Sequence, residues 1–194
     1  MSSLENWSTL QKQWIGKVYQ KKSKEWRRLA HFEERIAPFF SCRRVVDVGC
    51  NAGLMALPLC KCVSHYTGVE MDDVYYAQTA ETAKMLFPGR FDFVHGDAVK
   101  YLTTHVGDYD ALLLSCILYH LPDLDLELMA TVVLPSVDFA VVYGRYHRPT
   151  IKNTYALEKP ENNRKLFESC GFEVRNSSIE HPDLFCLICE RKPK

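Results

Sequence analysis

The feature that most constrains the fold is a series of short apolar segments separated by stretches with helical periodicity. Continuous apolar runs of this length are typical of strands buried on both faces of a parallel sheet. Strands that alternate with helices imply right-handed crossovers, and therefore a mostly parallel α/β sheet. The predicted strands lie at residues 45–48, 66–70, 91–94, 111–116, 137–143, 172–179 and 184–190.

Helical patterns occupy the intervals between these strands. Residues 4–37 carry apolar side chains at helical spacing with a break near residues 21–23, which predicts one or two amphipathic helices. The last two strands are joined by a short link, so they must be antiparallel neighbours. The other predicted helices lie at residues 54–62, 74–86, 123–133 and 160–170.

The charges balance over the whole chain but not along it. There are 24 Lys and Arg against 24 Asp and Glu, so a uniformly basic nucleic-acid binder is not indicated. Residues 1–44 nevertheless hold ten basic and four acidic residues. These basic residues are interleaved with aromatic ones. They either contact a nucleic acid, or belong to helices that cover a ligand site with their charges facing water. The residues concerned are Lys17, Lys21, Lys22, Lys24, Arg27 and Arg28.

Composition also bears on location and on metal binding. No apolar run is long enough to span a bilayer, and the first thirty residues lack the apolar core of a signal peptide, so a cytoplasmic protein is expected. Cys60, Cys62, Cys186 and Cys189 have spacings that suit zinc. We expect no metal site, because Cys186 and Cys189 fall on opposite faces of a predicted strand.

The first predicted strand ends in a turn with the chemistry of a ligand site. Ligands of open parallel sheets bind at the carboxyl ends of the strands, and here the sequence reads Asp47-Val48-Gly49-Cys50-Asn51-Ala52-Gly53. Gly49 lets a ligand approach the backbone, and Gly53 allows close packing where a helix begins. The turn is neither a dinucleotide fingerprint nor a phosphate loop, which predicts a ligand without a pyrophosphate.

The next three strands also end in residues that suit a nucleoside. Glu70 ends the second strand, where a carboxylate can accept both hydroxyls of a ribose, and Met71 offers an apolar face to a base. Asp97 follows the third strand and can accept a hydrogen bond from an adenine amino group. The fourth strand ends at Ser115 and Cys116.

These strand ends, in this order and spacing, resemble the class I S-adenosylmethionine-dependent methyltransferases over residues 45–142. The resemblance implies an enzyme that uses S-adenosyl-L-methionine as its cofactor. It also implies a Rossmann-like, doubly wound, mostly parallel seven-stranded sheet with an antiparallel last strand and an N-terminal helical extension. We predict a helical cover at residues 1–40 and the methyltransferase domain at residues 41–194.

The resemblance also assigns roles to residues. Asp47 and the backbone of the turn would hold the methionine part, Glu70 the ribose, Asp97 and Ala98 the adenine, and Ser115 would line the methionine side. The family usually has Gly where this chain has Asn51, a residue that tolerates left-handed backbone. The predicted cofactor-binding residues are therefore Asp47, Gly49, Asn51, Gly53, Glu70, Met71, Asp97, Ala98 and Ser115.

The acceptor side is less specific in the sequence. His120 or Tyr119 is a candidate catalytic residue that removes or orients a proton of the acceptor. The alternative is that Tyr119 packs under the cofactor and His120 caps the next helix. Tyr143 and Arg145 are candidate substrate-binding residues, since an arginine there can clamp a carboxylate or phosphate. The alternative for them is a solvated loop.

The predicted function is methyl transfer to a small-molecule acceptor. Because Arg145 can bind a carboxylate or phosphate, an anionic acceptor is one option. One alternative is an RNA methyltransferase of the transfer-RNA type that uses the basic N-terminal helices. Another is a non-catalytic cofactor-binding partner subunit. Dimerisation through the N-terminal tryptophans is a further hypothesis.

Overall fold

The fold is built around one seven-stranded sheet. The computed structural model describes residues 9–18, 24–145, 159–179 and 184–193. The strand order is β3-β2-β1-β4-β5-β7-β6. The strands are β1 (Arg44–Val48), β2 (His65–Glu70), β3 (Phe91–His95), β4 (Ala111–Ser115), β5 (Phe139–Arg145), β6 (Phe172–Ser177) and β7 (Leu184–Arg191).

The pairing confirms the predicted topology. Strands β1 to β5 pair in parallel, and β7 lies antiparallel between β5 and β6. The winding reverses between β1 and β4, and ligands of open parallel sheets bind at such a reversal, beyond the carboxyl ends of the strands. Val45 packs into one hydrophobic core and Val46 into the other, which is why the apolar pattern of these strands is continuous.

Helices cover both faces of the sheet. The α-helices are α1 (Thr9–Val18), α2 (Lys24–His31), α3 (Ala56–Leu59), α4 (Asp73–Ala83), α5 (Ala98–Thr104), α6 (Asp123–Leu128) and α7 (Pro160–Ser169). After α2 the chain continues through a π-helical turn, Phe32–Ile36, and a 3-10 turn, Ala37–Phe40. A π-helical turn, Met129–Val133, likewise extends α6.

Two helices differ from the prediction. The sequence pattern did not predict α5, because only Val99 and Leu102 of this short helix are buried and no apolar stripe results. Its strongest signal is Asp97, whose side chain accepts a hydrogen bond from the amide of Lys100 at 2.8 Å and caps the helix. The predicted helix at residues 54–62 is wrong in length, since only Ala56–Leu59 is helical.

The N-terminal helices share the core of the sheet. Ile15 of α1 and Leu29 of α2 are completely buried in the same cluster as Val45. Trp14 and Trp26 are half-buried against that cluster, and the indole of Trp14 donates to the Thr82 hydroxyl at 3.1 Å. Packing therefore accounts for the helical spacing of these two tryptophans.

The positions of the cysteines and the lengths of the helices bear on metal binding and on membrane spanning. Cys186 and Cys189 lie in the cores on opposite faces of the sheet, as their spacing predicted. Within the described ranges there is no group of three or more His, Cys, Asp or Glu side chains that could hold a metal ion. No helix in the described part of the chain is both long enough and apolar enough to cross a membrane.

Candidate cofactor site

The turn after β1 has the backbone of a ligand loop. Gly49, Asn51 and Gly53 all have left-handed φ angles, of 66°, 56° and 73°. The Asn51 side chain stabilises this conformation by accepting a hydrogen bond from the amide of Ala52 at 2.9 Å. A Cβ atom on Gly53 would lie 2.5 Å from Cε1 of Phe93, so the loop packs on β3 without room for a larger residue.

Glu70 is held firmly at the end of β2. Its carboxylate is buried and accepts hydrogen bonds from the amides of Asn51 at 2.8 Å, and of Met71 and Asp72 at 2.9 Å each. A carboxylate has about four acceptor sites, so Glu70 retains capacity for a hydroxyl donor. The three amides fix its orientation before any ligand arrives.

Asp47 is a buried carboxylate in β1. It is only 1% exposed, and the hydroxyl of Tyr66 donates to its Oδ2 at 2.8 Å. Burial raises the pKa of Asp47 to about 7, and the Tyr66 hydrogen bond and the charge of Arg28 act against this rise. Burial disfavours the charged form of this carboxylate, and a cationic ligand group would stabilise that form. Asp47 therefore suits a cationic ligand group.

The end of β4 contributes an unsatisfied polar atom. The Ser115 hydroxyl oxygen is buried and has no hydrogen-bond partner among the described residues. Cys116 has a left-handed φ of 60°, and its amide donates to the Tyr143 carbonyl at 2.8 Å. A Cβ atom on Gly49 would lie 3.0 Å from Cδ1 of Ile117, so the segment after β4 lies against the turn after β1.

The predicted adenine residues lie beside Glu70. Met71 is 70% exposed, so its side chain is free to cover a base. Glu70 pairs with His95 across β2 and β3, which places Asp97 and Ala98 at the neighbouring strand end. Asp97 is exposed. Its Oδ1 caps α5, so the carboxylate combines a helix cap with the remaining acceptor capacity that an adenine amino group needs.

The two predicted catalytic residues differ in exposure. Tyr119 and His120 lie in a 3-10 turn, Leu118–His120, with ring centroids 4.5 Å apart. Tyr119 is buried and His120 is exposed, so the histidine is the one that can meet an acceptor from solvent. The N-cap of α6 is Pro122, and no side chain at that position caps the helix.

The two predicted substrate residues also have different surroundings. Tyr143 is 1% exposed, and its hydroxyl is 2.8 Å from Nδ1 of His31. Its side chain thus meets α2, and burial raises its pKa. Arg145 is half-buried at the end of β5. Residues 146–150, the continuation of this loop, lie outside the described residues.

Arg28 and His31 were not predicted as site residues. The sequence grouped Arg28 with the basic surface residues, but its Nη1 donates to the sulfur of Cys116 at 3.2 Å. Their spacing of three residues puts Arg28 and His31 on one face of α2, next to buried Leu29 and Phe32. This position beside apolar residues was the sequence signal that Arg28 and His31 lie on a packed face of the helix. Of the other basic residues, Lys21 and Lys22 lie outside the described residues, as does the side chain of Lys24.

The sheet order, the glycine turn after β1 and the acidic end of β2 define a class I methyltransferase fold. A family model described as a methyltransferase domain matches residues 45–135. Residues 45–135 are therefore similar to the methyltransferase domains that this model describes.

Individual relatives agree with this placement. A ubiquinone biosynthesis O-methyltransferase from Aromatoleum aromaticum is 26% identical over 84 residues, which is 42% of this chain and 34% of that enzyme. The aligned part thus spans about a third of the relative's length. Magnesium protoporphyrin IX methyltransferase from Synechocystis PCC 6803, solved with bound SAM, has a TM-score of 0.67 at 16% identity, covering 95% of this chain and 92% of that one. The DhpI complex with SAH has a TM-score of 0.64 at 15% identity, covering 95% and 96%. At these identities the two structures show the shared fold.

Proposed function

We propose that the protein transfers a methyl group from S-adenosyl-L-methionine to a small-molecule acceptor. The observation that carries the proposal is the pair of carboxylates at adjacent strand ends, Asp47 buried in β1 and Glu70 held by three amides at the end of β2. The curated relative that matches is named as an O-methyltransferase of ubiquinone biosynthesis, which favours a small organic acceptor over RNA.

The residues present fit this cofactor. Asp47 suits the ammonium of the methionine part, and the unsatisfied Ser115 hydroxyl offers that side a further polar partner. Glu70 suits the ribose, with acceptor capacity left for a hydroxyl, and Asp97 suits the adenine amino group. Gly49, Asn51, Gly53, Met71 and Ala98 would form the walls against which the cofactor lies.

When bound, the cofactor supplies a methyl group on a positively charged sulfonium, which is already a strong electrophile. The contribution of the chain is then to align the acceptor with that methyl group. An exposed imidazole at His120 is suited to take a proton from an acceptor that is protonated at working pH, while Tyr119 packs behind it. Arg145 at the end of β5 would favour an anionic acceptor.

Calorimetry with S-adenosylhomocysteine tests the cofactor assignment. We expect binding by the unmodified protein and none detectable with Asp47→Ala or Glu70→Ala. Unaltered binding by both variants would contradict the site. An acceptor screen with labelled cofactor then compares a metabolite pool with an RNA pool. Labelled small molecules support the proposal, labelled RNA points to the RNA alternative, and cofactor binding without any labelled product points to a non-catalytic partner subunit.

A further inference from the structure

The short segment that joins β2 to α4 is held from two sides. Glu70 accepts hydrogen bonds from the amides of Met71 and Asp72 at 2.9 Å each. On the other side, Nε2 of His95 lies 3.3 Å from the carbonyl oxygen of Met71. His95 ends β3 and pairs with Glu70 in the register of the two strands. Both polar groups of the Met71 main chain therefore have a partner.

The surroundings of the His95 ring determine the direction of this hydrogen bond. Nε2 of His95 also lies 3.1 Å from Oδ1 of Asp73. Carbonyl and carboxylate oxygens are hydrogen-bond acceptors, so both neighbours of Nε2 need a donor. Nε2 therefore carries a hydrogen atom, whether the ring is neutral or protonated, and shares it between Met71 and Asp73.

A second contact fixes the plane of the imidazole ring. The rings of His95 and Tyr76 are stacked, with 4.7 Å between their centroids and 14° between their planes. The hydroxyl of Tyr76 in turn donates to the carbonyl of Phe93 at 3.5 Å, which ties this tyrosine to β3. The side chain of His95 is 43% exposed, so packing in the core does not account for its orientation.

Met71 gains most from these contacts. Its side chain is 70% exposed, and methionine has three rotatable bonds, so packing leaves the thioether flexible. The place where such a side chain can cover a base is then set by the main chain that carries it. Glu70 fixes that main chain at its amide, and His95 fixes it at its carbonyl.

We propose that His95 is a positioning residue for the adenine of the cofactor and acts through the main chain of Met71. This inference rests on the proposed function. The hydrogen bond from His95 holds the segment after β2 so that the Met71 side chain lies against one face of the base. Without that donor the Met71 carbonyl loses its partner, and the segment is free to shift away from the base.

Calorimetry with two ligands tests this role. S-adenosylhomocysteine and 5′-methylthioadenosine both carry adenine, but only the first carries the amino-acid group. His95→Phe keeps a ring that can stack on Tyr76 and removes the donor, and we expect it to weaken both ligands by about 3- to 10-fold. His65→Phe is the matched control and should change neither affinity. Nε2 of His65 also contacts a carboxylate, that of Asp92 at 2.8 Å, but at the start of β2, the other end of that strand.

A double variant separates positioning from a merely structural role. Met71→Ala should itself weaken both ligands, because it removes the apolar cover of the base. In that background His95→Phe should cause no further loss, since the two residues act on one contact with the ligand. A second, independent loss in the double variant would overturn the positioning role.

Failure of this inference is distinguishable from failure of the proposed function. If the unmodified protein binds neither ligand, the proposed function is wrong. If it binds both and His95→Phe changes neither affinity, or weakens S-adenosylhomocysteine alone, the role of His95 is wrong. Thermal unfolding shows whether each variant retains its fold. If His95→Phe folds poorly, His95→Ala decides, because it removes the donor without adding a larger side chain and should weaken both ligands at least as much.

Discussion

The two halves of the candidate site are built differently. The nucleoside half consists of residues close in sequence, where Glu70 accepts from the amides of Met71 and Asp72 and from the nearby turn at Asn51. In the proposed methionine half, Tyr66 donates to Asp47, and Arg28 of α2 contacts Cys116, which is 88 residues away. The first half is thus fixed by backbone amides at one strand end, while the second depends on side-chain contacts between elements that are far apart in the chain.

The largest expected effect concerns Asp47 in the methionine half. Its pKa of about 7 in the folded protein lies above the ordinary value of 3.8, so the folded protein retains a proton that the unfolded chain has lost between these values. The free energy of unfolding therefore falls as the pH rises through this window, by about 4 kcal/mol in total. The asparagine of Asp47→Asn does not titrate. The free energy of unfolding of this variant, taken relative to that of the unmodified protein, should therefore rise by this amount from pH 4 to pH 7.

Urea unfolding at pH 4.5, 6 and 8 measures this difference. The same variant should bind S-adenosylhomocysteine at least ~10-fold more weakly, since the amide cannot neutralise an ammonium. If Asp47→Asn raises the free energy of unfolding and weakens S-adenosylhomocysteine binding, the carboxylate is retained for its ligand and not for stability. A stability difference that does not vary with pH would contradict this account.

The next effect concerns the nucleoside half. Glu70→Ala removes the acceptor of three amides and should weaken both S-adenosylhomocysteine and 5′-methylthioadenosine by about 100-fold or more. Glu81→Ala, at an exposed glutamate on α4, is the control and should change neither affinity. If only S-adenosylhomocysteine were affected, the division of the site into two halves would fail.

A smaller effect is expected at the loop that both halves share. Gly53→Ala places a Cβ atom 2.5 Å from the Phe93 ring and forces a left-handed φ on alanine. We expect a loss of about 1–3 kcal/mol in the free energy of unfolding. Gly89→Ala is the matched control, since its φ is also left-handed but nothing lies within 4 Å of the added atom. Equal losses in both variants would show that contact with Phe93 contributes nothing.

The smallest effect should follow loss of the Tyr143 hydroxyl. Tyr143→Phe removes the hydrogen bond to His31 and should lower the free energy of unfolding by about 1 kcal/mol. Urea unfolding of the variant and of the unmodified protein measures this loss. Tyr75→Phe, at an exposed tyrosine on α4, serves as the control. An equal loss in both variants would show that the hydrogen bond to His31 contributes nothing.

Local patterns were enough to predict much of this molecule. The apolar runs predicted β1, β4 and β5, because strands buried on both faces cannot carry polar residues without cost. The edge strands β3 and β6 were also predicted, although β3 has no buried residue and β6 alternates buried and exposed residues. The sequence patterns missed α5, since a seven-residue helix with two buried side chains leaves little periodicity. Candidate ligand residues at or beside the ends of the first four parallel strands could also be chosen from the sequence, because all these ends lie on the same edge of the sheet.

The tertiary structure decided what no local pattern contains. The sequence by itself determined the parallel sheet and the carboxylates at its edge. Packing decided that Asp47 is buried against Tyr66, that Tyr143 turns toward His31, and that Arg28 points inward rather than to solvent. The physical reason is that charge and residue type are local properties. The direction of a side chain on α2, and the pKa of a carboxylate in β1, depend on neighbours brought from distant parts of the chain.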